Sequence, residues 1–179
     1  MQIAETVYEP VKPLGWSKKA VYEFASSVAE RLLPEPGADP TSLVESFGGK
    51  VFYQNIFEAE GTKDGSILIE ADGTFRIYLP DYVSLERNRF TLAHELGHYI
   101  LHRLVPGRNS PLRASRTTGA NSERAEWEAN WFAAAFLMPE GKFRPLLPLA
   151  QNDLVAVART FRVSLEAARY HKEFYEQSS

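Results

Sequence analysis

"FTLAHELGHYILHR", Phe90 to Arg103, sets two histidines and a glutamate within five positions: His94, Glu95 and His98. An α-helix turns each side chain by about 100° and climbs about 1.5 Å per residue, so His94 and His98 stand about 40° apart on one face, one turn above the other. Two imidazoles at that spacing converge on a single ion. Glu95 projects to the side of the pair, out of easy reach as a third ligand but within reach of a water on that ion. Zinc hydrolysis uses this division, the cation acidifying a water and polarising a carbonyl while the carboxylate takes the proton. Chance alone gives His-Glu-x-x-His in a chain of this composition about one time in a hundred, so the surrounding residues must decide. Gly97 adds weight, because glycine inside a helix costs about 1 kcal/mol relative to alanine and points to a close neighbour.

Two histidines do not fill a zinc site, which takes three protein ligands and leaves one position for water. His102 stands about 12 Å along the axis from His94 on a continued helix, too far to share an ion held at about 2 Å, and reads as a helix-terminal histidine. Better third ligands lie in "SERAEWEANWFAAAFLMP". Glu126 and Asn130 are one turn apart, and Ala129, Ala133 and Ala134 leave that surface low enough for two helices to approach. Glu126 is then the expected ligand, and Asn130 is placed to hold the second nitrogen of a histidine. Glu128, about 200° round the helix from Glu126, is the rival, with Glu123 third.

Outward from these two segments, 179 residues suit one core of ordinary size. An apolar fraction of 44% and a charged fraction of 24% exclude disordered, collagenous and coiled-coil classes. With no cysteine, thiolate ligands and disulfides are excluded, which leaves His, Asp and Glu to hold a metal. A net charge of −3 argues against nucleic-acid binding by the whole chain. No apolar run reaches the ~20 residues needed to cross a bilayer, and the first thirty residues lack a signal peptide's apolar stretch, so a cytoplasmic location and no membrane partner are expected.

Residues 1–15 show no period and read as an N-terminal arm, with residues 16–179 as one domain. Ser17 caps a helix carrying Ala20, Val21, Phe24, Ala25 and Val28 at helical spacing. Asp39 and Pro40 open a short helix that Gly48 and Gly49 end. "KVFYQ" is a strand, the polar "NIFEAEGTKDG" a loop, and "SILIEADGTFRIYLP" a hairpin turning at Asp72-Gly73, which makes three strands. Ser84 caps a helix running to about His102, a second helix runs from Ser122 to Leu137, and short helices cover Asp153 to Phe161 and Leu165 to Gln177.

"RFTLAHELGHYILH", then "EWEANWFAAAFLMP", then "VARTFRVSLEAARYH" follow the order of motifs in the ImmA/IrrE family of metallo-endopeptidases, which the chain resembles from about Phe47 to His171. The resemblance implies an α+β, minimal zincin-like fold: a small three-stranded sheet packed on helices that include the His-Glu-x-x-His helix, with a helical C-terminal part. It implies Zn²⁺ as cofactor, Glu126 as the acidic ligand, and a protein substrate, often a DNA-binding transcriptional repressor cleaved during stress or mobile-element induction. Many relatives carry a helix-turn-helix unit before the protease and some a C-terminal sensory domain. Neither shows in this chain, so the resemblance speaks to activity more than to regulation.

Some features stay open. An oxyanion needs a donor, for which Tyr170 and His171 rank ahead of Tyr99 and Tyr82. "TFRIYLP" is a candidate edge strand for an extended peptide. "RLVPGRNSPLRASRTTGANSER" holds Arg103, Arg108, Arg113, Arg116 and Arg124 and reads as a basic, mobile loop that is either solvated or gates the cleft. The leading expectation is a zinc endopeptidase of narrow specificity; the alternative is a zincin-like binding module that sequesters or senses a protein without cutting it.

Overall fold

The computed structural model describes residues 6–55, 66–114 and 120–177. The loop expected over "NIFEAEGTKDG" lies, apart from Asn55, outside the described residues, as does Arg116. Among those described, strand β1 (Glu9–Pro10) is followed by helices α1 (Lys18–Leu32) and α2 (Thr41–Ser46), then strands β2 (Gly49–Gln54), β3 (Ser66–Ile69) and β4 (Phe75–Pro80). Helix α3 (Leu85–Tyr99) runs without a break into a π-helical turn, Ile100–Leu104, and strand β5 (Leu112–Ala114) comes next. Helices α4 (Ala120–Leu137), α5 (Glu140–Leu149), α6 (Leu154–Phe161) and α7 (Leu165–Gln177) complete the order.

Local chemistry sets the boundaries. The Ser17 hydroxyl accepts from the Ala20 amide at 3.2 Å, and the Ser84 hydroxyl from the Arg87 amide at 3.2 Å, satisfying N–H groups that a helix start leaves orphaned. The hairpin turns where expected: Gly73 sits at φ +90, and Asp72 Oδ1 accepts from the Thr74 amide at 2.9 Å and its hydroxyl at 2.7 Å. Gly48 ends α2 at φ +83.

Among the described residues the sheet has five strands rather than three, in the order β1-β5-β3-β4-β2. β3 pairs antiparallel with β4 and β5, whereas β2–β4 and β1–β5 are parallel. The two added strands have only two and three residues, too few for any alternation to announce them. "TFRIYLP" forms β4, which is interior and not an edge: β2 covers its outer side. Among the described residues the outermost strand on that side is β2, whose Tyr53 is 61% exposed.

Helix α3 lies between the sheet and α4, with contacts to β3, β4 and α4, and α4 is backed in turn by α1. Its surroundings explain its burial: every residue from Leu92 to Arg103 is buried, on all faces. Tyr99 stacks on Phe75 of β4 at 4.1 Å between ring centroids. Arg103 is buried and donates from Nη2 to the Ala71 carbonyl at 2.8 Å, so this residue fastens the β3–β4 turn and belongs to no basic loop. Likewise Arg124 donates to the Trp16 carbonyl and to Glu128. No described helix is long and apolar enough to cross a membrane.

Candidate metal centre

Two helices build the site. His94 and His98 project from one face of α3, as their four-residue spacing dictates, and Glu126 reaches them from the second turn of α4. Gly97 allows the approach. A Cβ there would lie 3.1 Å from Phe132 Cδ1 and 3.3 Å from the Ala129 Cα, a backbone atom of α4 that has no way to swing aside.

The three side chains converge by their ligating atoms. The Nε2 atoms of His94 and His98 are 3.1 Å apart, Glu126 Oε2 is 3.1 Å from His94 Nε2, and Glu126 Oε1 is 3.1 Å from His98 Nε2. Bonds of about 2 Å to a tetrahedral ion set its ligands about 3.3 Å apart, so these separations fit a zinc-sized cation. His94, His98 and Glu126 form the one described group of three or more such residues able to hold a metal. Neither His102 nor Glu128 joins it.

Burial shapes the electrostatics. It drives the His98 imidazolium down to about 3, despite the Glu126 contact that opposes the shift. Burial also disfavours charge on His94, yet the hydrogen bond to Glu126 and the charges of Glu95 and Glu126 more than compensate and raise it. Glu126 is likewise penalised by burial, but its contacts with His94 and His98 hold it well below the usual carboxylate range. An ionised carboxylate held between two imidazole nitrogens favours positive charge at the point where the three side chains meet.

Glu95 is buried beside His94, whose imidazolium its charge favours. His94 Nδ1 lies 2.9 Å from Asn130 Oδ1, the outer contact expected from the spacing of Glu126 and Asn130. Asn130 also lines a cavity of about 570 Å³ whose walls include Lys18, Arg87, Thr91, Tyr170 and His171. Tyr170 is 62% exposed on that wall. His171 is buried against Tyr22, Phe143 and Tyr175, and its Nε2 donates to the Met138 carbonyl at 2.6 Å.

Two residues play a larger part than their sequence context suggests. His102 is fully buried, and its Nδ1 lies 3.0 Å from His98 Nδ1 while its Nε2 lies 3.1 Å from Glu128 Oε2. The available signal was the third histidine of a four-residue series, 94, 98 and 102, on one helical face. Glu128 faces away from Glu126, as the angle between them requires.

A family model described as the IrrE N-terminal-like domain, Peptidase_M78, matches residues 44–171. The chain belongs to this family. Family membership points to a metallopeptidase, and the clustered His94, His98 and Glu126 accord with metal binding. Among solved structures the chain is similar to a Mycobacterium tuberculosis transcriptional regulator, at 19% identity and a TM-score of 0.63. That likeness extends over 86% of this chain but only 46% of the regulator, and it shows the shared fold. A search of curated proteins returns no significant match.

Proposed function

We propose that this IrrE-like chain is a zinc-dependent endopeptidase of narrow specificity, acting in the cytoplasm on a transcriptional repressor or similar regulatory protein during stress or mobile-element induction. The observation that carries it is the convergence of two imidazole nitrogens and one carboxylate at mutual separations of 3.1 Å, with a buried glutamate adjoining. In this reading residues 1–15 are an arm and residues 16–179 the peptidase domain.

His94, His98 and Glu126 hold the cation, which when bound acidifies a water and polarises the scissile carbonyl. Glu95 is the general base, its carboxylate taking the water's proton and returning it to the leaving amine. Asn130 orients His94. Of the two expected oxyanion donors we retain Tyr170, which stands exposed on the cavity wall, over His171, whose Nε2 is committed to a backbone carbonyl.

The test is incubation of the purified protein and zinc with candidate repressors encoded beside it, with Glu95→Gln as control. Glu95→Gln is expected to keep stoichiometric zinc and to lose cleavage by at least about 100-fold, the usual share of a general base. If the wild type and Glu95→Gln act alike on the partner, by sequestration without cutting, the binding-module alternative replaces the peptidase.

A further inference from the structure

An imidazole that binds a metal through Nε2 must carry its proton on Nδ1, so whatever faces Nδ1 decides whether the ring is ready. For His94 that partner is an amide oxygen, Asn130 Oδ1. For His98 it is the Nδ1 of another histidine, His102, at 3.0 Å. One imidazole nitrogen facing another fixes nothing, because either can donate. The direction is set one step further out.

His102 Nε2 faces Glu128 Oε2 at 3.1 Å, and Glu128 is fully buried. Three other groups donate to the same carboxylate: the Leu14 amide to Oε2 at 2.8 Å, the Gly15 amide to Oε1 at 2.8 Å, and Arg124 Nε to Oε1 at 3.3 Å. Surrounded by fixed donors, Glu128 accepts only. His102 therefore bears its proton on Nε2 and offers a lone pair at Nδ1. That lone pair calls for a proton on His98 Nδ1, against the pull of Glu126 Oε1, which lies 3.1 Å from His98 Nε2 and would accept a proton there, and it frees the Nε2 lone pair for the cation.

We propose that His102 and Glu128 are positioning residues that select the metal-ready tautomer of His98, and that the segment before α1 closes this chain through the Leu14 and Gly15 amides. The inference rests on the reading of His94, His98 and Glu126 as the metal ligands. Stability alone is a poor reason for the pair, since a buried histidine–carboxylate contact costs more to desolvate than a well-packed apolar one.

The experiment uses the full chain as wild type, His102→Leu, His102→Asn and Glu128→Gln. It measures zinc affinity by competition with a chromophoric chelator and reads the His98 tautomer from long-range ¹H–¹⁵N spectra of the metal-free protein. Wild type should show the Nδ1–H form of His98. His102→Leu, which offers no acceptor, and Glu128→Gln, whose amide sets a donor against the donors around it, should mix the tautomers and weaken zinc binding by about 10- to 100-fold. His102→Asn, which restores an acceptor near the former Nδ1, should recover most of the loss. Should His102→Leu not fold, the nearly isosteric Glu128→Gln decides alone. Unchanged tautomer and affinity in a folded variant, whatever its melting temperature, would overturn the proposal. A wild type that takes up no stoichiometric zinc would instead sink the metal reading beneath it.

Discussion

Gly97 is where the metal centre is most easily broken without touching a ligand. It faces α4 on the stripe shared with His94 and His98, and any Cβ meets Phe132 at 3.1 Å and the Ala129 backbone at 3.3 Å. Gly97→Val should force the helices apart, costing about 1–3 kcal/mol of stability in urea unfolding, as overpacked cores do. Because Glu126 rides on α4 one turn before Ala129 and Asn130, the same shift withdraws a ligand. Zinc affinity should fall at least tenfold in chelator competition, an outcome that separates loss of geometry from loss of stability alone. A variant that unfolds more readily yet binds zinc as tightly as wild type would show that helix separation does not set the site.

At the scale of elements, α7 is docked on the end of α4 by a buried histidine. His171 is neutral in the fold: burial pushes its imidazolium down to about 4 from an ordinary 6.5, against the opposing pull of the Met138 carbonyl. Below about pH 6.5 the unfolded chain takes up a proton there that the folded chain refuses until about pH 4. Stability tied to His171 is thus complete above about 6.5 and drains away as pH falls toward 4. Between about pH 7 and pH 5 the loss should be about 2 kcal/mol from this residue. Urea unfolding in EDTA at the two pH values checks it, and His171→Gln should flatten the dependence by that amount. Equal slopes in both proteins would mean that α7 is held by its aromatic packing alone. Helix α5 makes the complementary point. It contains Pro145 and Pro148, which argue against a helix, but its start is held from α1, by Ser26 Oγ accepting from the Glu140 amide at 2.7 Å and Glu30 Oε1 from the Gly141 amide at 3.2 Å.

Across the whole molecule, a metal between His94, His98 and Glu126 would tie α3, and with it the sheet, to α4 and the helices behind it. A ligand that binds only the folded chain adds RT ln(1 + [L]/Kd), about 2.7 kcal/mol at a hundred times Kd. For a chain of this size that is about 5–10 °C in melting temperature. Thermal scans in zinc and in EDTA should differ by that amount, and Glu126→Ala should abolish the difference. The N-terminal segment is a second tie: β1 pairs with β5, Tyr8 donates to Glu70 at 2.6 Å, and Leu14 and Gly15 anchor on Glu128. What reads as an aperiodic arm touches both the sheet and the rear of the candidate site.

The sequence alone determined whatever depends on neighbours along the chain. Helical spacing put His94 and His98 on one face, Ser17 and Ser84 announced their helices, Asp72-Gly73 turned the hairpin, and four residues from Glu126 to Asn130 placed ligand and orienting amide together. Only the tertiary structure decided what depends on partners distant in sequence. It made β4 interior by laying β2 beside it, and formed α5 over its prolines by borrowing caps from α1. It also turned His102 from a helix-end residue into a link between His98 and Glu128. The physical reason is that periodicity and capping are short-range, whereas a buried polar group is satisfied by whatever donor or acceptor the fold carries to it, and no local pattern records which one that will be.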